Sequence, residues 1–107
     1  MLTDNNRLLL EIDKTIREIN RETINPAIPK LSLSDLNPVM VLVARARAVY
    51  LKELFDMAGV VGNGLPSPDQ IDQLKKLRET YEELVNGAQS LEIAIQRGYL
   101  DVISKSS

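Results

Sequence analysis

Residues 67–97 read SPDQIDQLKKLRETYEELVNGAQSLEIAIQR, and the periodicity of this stretch decides the fold class. Leu74, Leu77, Tyr81, Leu84, Ala88, Leu91 and Ile95 follow one another at alternating intervals of three and four residues. That rhythm puts all seven on one face of a helix and makes a packing seam of coiled-coil type. Ser67-Pro68-Asp69-Gln70 opens the helix: a serine cap, proline at the first helical position, and glutamine placed to close a capping box. Asn86-Gly87 is a turn dipeptide. The heptad phase is the same on both sides of it, so one continuous helix is expected. Tyr99 and Val102 extend the stripe beyond Gly98.

Residues 59–66, GVVGNGLP, precede that helix and read as a stop and a turn, with Gly59 expected at the left-handed position that ends the helix before it. A loose GxxGxG string is present, but it follows a helix instead of a strand and no Lys-Ser or Lys-Thr pair comes after it, so it is not read as a phosphate loop. The helix before it starts at Asn37-Pro38 or, one turn earlier, at Ser34-Asp35. Met40, Val43, Tyr50, Leu51, Leu54 and Met57 fall in one half of its wheel, Leu42 and Val49 in the other. A helix apolar on nearly all sides is expected to be surrounded. A first helix over residues 4–23 carries Leu8, Leu9, Ile12, Ile16 and Ile19 as its apolar stripe, and Arg7–Glu11 and Lys14–Glu18 are spaced as surface ion pairs. Asn25-Pro26 and Pro29 end it. The connector over residues 24–37 holds Ile28, Leu31, Leu33 and Leu36, which predicts a packed crossover. Residues 104–107 read as a frayed tail.

The expected architecture is therefore all-α: one domain over residues 1–107, a bundle of three long antiparallel helices with a packed, proline-containing crossover, pairing with a second copy into a dimeric bundle. Thirty-three of the 107 residues are Leu, Ile or Val, enough for an aliphatic core. A chain this short nevertheless hides only about two-thirds of its unfolded surface, which favours self-association.

Composition excludes much chemistry. Cys, His and Trp are all missing. Ser-His-Asp and Cys-His nucleophiles, ordinary zinc sites and thiol redox centres are thereby ruled out. Glu79, Glu82 and Glu83 resemble the ExxE half of the all-helical nucleotide pyrophosphohydrolases, but Ile95 stands where the companion ExxD after Glu92 would need an acid. The three glutamates read as a solvated face. No enzyme activity, metal or cofactor is expected. Net charge is −2, against a dedicated nucleic-acid binder. The N-terminus lacks a signal-peptide pattern and no window has the length and apolarity of a membrane span, so a cytoplasmic protein with no membrane partner is expected.

Two charges interrupt apolar stripes: Arg47 in the second helix and Glu92 in the third. Each either snorkels past a core edge or meets a specific partner. Glu11, Glu18 and Glu82 are the expected carboxylate partners of Arg47. Leu91, Ile95, Tyr99 and Val102 overhang the second helix and, with Leu42 and Val49, call for cover from the connector and from a second chain. The function expected from these features is a non-enzymatic protein–protein interaction or oligomerisation module, such as a small adaptor, regulator or chaperone-like subunit acting as a homodimer. Two alternatives are a helical nucleic-acid-binding regulator using Arg7, Lys14, Arg17 and Arg21, and a bundle that binds a small anion at Arg47.

Overall fold

The structure is a computed structural model and describes residues 2–28 and 30–103. Three helices make up most of it: α1 (Leu2–Ile24), α2 (Leu33–Val61) and α3 (Pro68–Gln96). The protein is all-α, as its periodicity predicts. The expected tail at 104–107 and the stop at Pro29 lie outside the described residues.

Local chemistry explains each boundary. α1 ends at Ile24, directly before Asn25-Pro26, where proline disfavours a helical residue ahead of it. α2 starts earlier than either expected position. Its cap is Ser32: the Asp35 N–H donates to Ser32 Oγ (3.3 Å), and the Ser32 N–H donates to Asp35 Oδ2 (2.9 Å). The two bonds form a reciprocal capping box. Pro38 consequently lies in the second turn, not the first, and the connector shrinks to residues 25–32. At its other end α2 runs through Gly59 to Val61, and Gly62, at φ 57°, takes the left-handed position expected of Gly59. α3 opens with the expected box, Gln70 N–H to Ser67 Oγ at 3.1 Å and Ser67 N–H to Gln70 Oε1 at 2.8 Å. It passes through Asn86-Gly87 unbroken. α2 and α3 both have 29 residues, about 43 Å each, so α2 is longer than its sequence signals imply.

α3 ends in a Schellman motif. Gly98 adopts φ 76°, the Tyr99 N–H bonds the Ala94 carbonyl (2.9 Å) and the Gly98 N–H bonds the Ile95 carbonyl (3.1 Å). The stripe therefore does not continue helically past Gly98. The chain turns back, and Tyr99 and Leu100 enter a small core.

The chain divides into two compact units, residues 1–36 with 91–107, and residues 37–90. In the first, Leu31, Ala94, Tyr99 and Leu100 are buried and Ile24, Ile28, Leu36, Leu91 and Ile95 pack against them. This is the packed crossover expected from the connector's apolar residues, although Leu33 remains exposed. A parallel bridge joins Leu31 to Val102: the Leu31 N–H bonds the Asp101 carbonyl (3.1 Å) and the Ile103 N–H bonds the Leu31 carbonyl (2.7 Å). In the second unit α2 and α3 form an antiparallel hairpin. Val39, Val43, Ala46, Tyr50 and Met57 recur at helical spacing as the shielded positions of α2. Leu74, Leu77, Tyr81, Leu84 and Ala88 do so on α3, as the heptad pattern predicts.

Candidate interaction surfaces

Arg47 is one of the two charges that the sequence singles out, and the structure places it on the surface of the hairpin. Its Nε donates to the Tyr81 hydroxyl at 3.0 Å, and its guanidinium carbon lies 5.3 Å from the centre of the Tyr81 ring. Tyr81 in turn stacks on Tyr50, with centroids 6.2 Å apart and planes 16° from parallel. The expected carboxylate partners are not used. Arg47 and Tyr81 are equally far in sequence from Gly64 at the turn, which puts them level in an antiparallel hairpin. Glu82 misses that level by one position, which rotates its side chain about 100° away, and it pairs weakly with Arg78 at 3.8 Å. The signal that finds Tyr81 is thus the hairpin's register; reasoning from charge alone passes over a tyrosine.

Beside this cluster Tyr50, Ile71, Leu74, Lys75 and Arg78 line an open dent. Met40, Leu51 and Leu54 stand about half exposed on α2, and Ile71 does so on α3. α2 is not surrounded: Met57 is its one buried side chain among the described residues, because α3 covers a single stripe of it. Leu42 and Val49, on the other half of the wheel, are also half exposed.

In the first unit α1 keeps its apolar stripe open. Leu9 is 63% exposed and Ile19 55%, with Ile12 and Ile16 close behind. One border of the stripe is occupied. Asp13 accepts from Arg17 (2.9 Å) and from Arg97 (2.7 Å), and Arg21 donates to the Gly98 carbonyl (2.9 Å) and to Asp101 (2.6 Å). The Arg21 guanidinium holds the Asp101 carboxyl below its ordinary value, with Lys30 and Asn25 adding to the effect. Arg97, bonded to Asp13, is raised. The expected Arg7–Glu11 and Lys14–Glu18 pairs do not form among the described residues. Asp13–Arg17 forms instead and has the acid first, the better order along a helix.

The remaining sequence-flagged positions separate cleanly. Tyr99 is buried and Leu91 and Ile95 are half buried, all against this chain's own connector. Val102 stays half exposed at the bridge and Glu92 is exposed. Arg17 and Arg21 have carboxylate partners, so the basic stripe of α1 is not an open row of cations. No group of three or more His, Cys, Asp or Glu suited to a metal occurs among the described residues, and no described helix is long and apolar enough to cross a membrane. Comparison with protein-family models, curated proteins and solved structures finds no match.

Proposed function

We propose that this protein is a non-enzymatic interaction module, a small adaptor or regulatory subunit, that works as a homodimer. One observation carries the reading. Long apolar stretches stay open: Leu8, Leu9, Leu10, Met40, Leu51 and Phe55 are all more than half exposed. Contiguous exposed apolar surface favours association.

Sedimentation across a wide concentration range tests the proposal. A dimer that persists at micromolar concentration is expected. A clean monomer at several hundred micromolar overturns it.

A further inference from the structure

Two open faces of this chain have complementary chemistry. The first is the α1 stripe of Leu9, Ile12, Ile16 and Ile19. Its neighbours on one side are Asp13 and Arg17, already engaged with each other and with Arg97. On the other side Glu11 and Glu18 each precede a stripe residue by one position and Glu22 lies further along. None of these three has an ion-pair partner among the described residues. The free border of the stripe is therefore acidic, with Arg7 and Lys14 further round the helix beyond it.

The second face belongs to the α2–α3 hairpin. In two antiparallel helices of the same hand, residues rotated the same way from the seam lie on the same side of the pair. Arg47 and Leu51 follow Ala46 and Tyr50 of the α2 row by one and Leu54 follows the half-shielded Glu53, while Lys75 and Arg78 follow Leu74 and Leu77 of α3 and Ile71 follows the half-shielded Gln70. These six consequently share a side, and the dent floored by Tyr50 and Leu74 lies among them. The result is an apolar groove edged by three cations, with Glu82, which follows Tyr81 by one, as the acid on the same side. Lys75 and Arg78 are held only loosely by Glu79 and Glu82, at 3.9 and 3.8 Å, and Arg47 has no carboxylate at all among the described residues.

We propose that the groove receives α1 of a second copy of this chain, with Glu11 and Glu18 turned toward Arg47, Lys75 and Arg78, and that the exchange is reciprocal. The inference rests on the self-association reading and names the surfaces that associate. A two-fold axis makes the arrangement closed, since each chain gives one helix and offers one groove.

The natural absence of cysteine permits a direct test. Ile16→Cys and Leu51→Cys are made in separate chains, mixed, allowed to exchange and treated with a short bismaleimide. Lys14→Cys, on the far side of α1, replaces Ile16→Cys in a control. A covalent heterodimer is expected from the first mixture in several-fold higher yield than from the control. The double variant Ile16→Cys/Leu51→Cys should run as a cross-linked dimer. Equal yields in the two mixtures, cross-linking only of Ile16→Cys with itself, or an internally bridged monomer from the double variant each overturn the α1-in-groove arrangement. Sedimentation of the unmodified protein separates the two failures. A dimer there leaves self-association standing, and a monomer removes both.

Discussion

Arg47 shows how a charge inside an apolar stripe is accommodated without burial. Its guanidinium carries five N–H donors and needs acceptors; here it takes the Tyr81 hydroxyl and the ring face and leaves its remaining N–H groups to the surface. Exposed cation–π contacts contribute only about 0.5–1 kcal/mol. Arg47→Ala should therefore lower stability by no more than about 1 kcal/mol, read as the urea midpoint at a protein concentration below that of association. A loss of several kcal/mol would mean that a buried partner had been stranded. The acids behave differently. Asp35 is held below its ordinary value by hydrogen bonds from the Ser32 backbone and hydroxyl, and Asp101 by Arg21. A carboxyl with a depressed folded-state value adds stability above its unfolded value, near pH 4, and that contribution disappears as pH falls through the folded value. Melting temperature should accordingly fall on acidification below about pH 4, with a shallower fall in Asp101→Asn. An unchanged slope in that variant would show that the Arg21 pair contributes nothing.

At the scale of the element, glycines separate local strain from local propensity. Gly98 stands at φ 76°, where it completes the Schellman turn that returns Tyr99 onto Ala94. A Cβ there meets no atom within 4 Å, so the penalty is conformational alone. Gly98→Ala should cost about 1–2 kcal/mol. Gly87 lies inside α3 with equally open space around it, and there alanine removes the entropic penalty of glycine in a helix. Gly87→Ala should gain about 0.5–1 kcal/mol. Thermal unfolding of the two variants checks the pair, and shifts of the same sign would contradict it. The start and continuity of α3 are legible in the sequence because the Ser67–Gln70 box and the heptad involve only residues within a turn or two of each other. The start of α2 lies earlier than its local signals at Ser34 and Asn37. Ser32, the cap, directly follows Leu31, which bridges to Val102, 71 residues further along the chain.

The whole molecule has a small enclosed core and a large open apolar surface. Among the described residues no side chain is fully buried. Association would add stability by mass action, because a second copy binds the folded chain and not the unfolded one. Melting temperature should rise with protein concentration, by several degrees between low and high micromolar chain. A melting temperature independent of concentration would mean that the exposed stripes are solvated as they stand.

What the sequence determined by itself is the set of local structures: three long helices, their apolar faces, the cap at Ser67, the stop before Pro26 and the uninterrupted passage through Gly87. Each depends on a repeat of about 3.6 residues or on hydrogen bonds spanning a few positions, so the information is contained in a short window. Tertiary structure decided which faces are covered. Ala94 lies off the predicted stripe, and Leu100 follows the glycine that ends the helix. Both are buried because the chain doubles back onto the connector. Arg97 reaches Asp13, Arg21 reaches Asp101 and Arg47 reaches Tyr81 across separations of 84, 80 and 34 residues. Pairings at such distances depend on how helices are brought level by their turns, and periodicity describes the faces of a helix without naming the neighbour that each one meets.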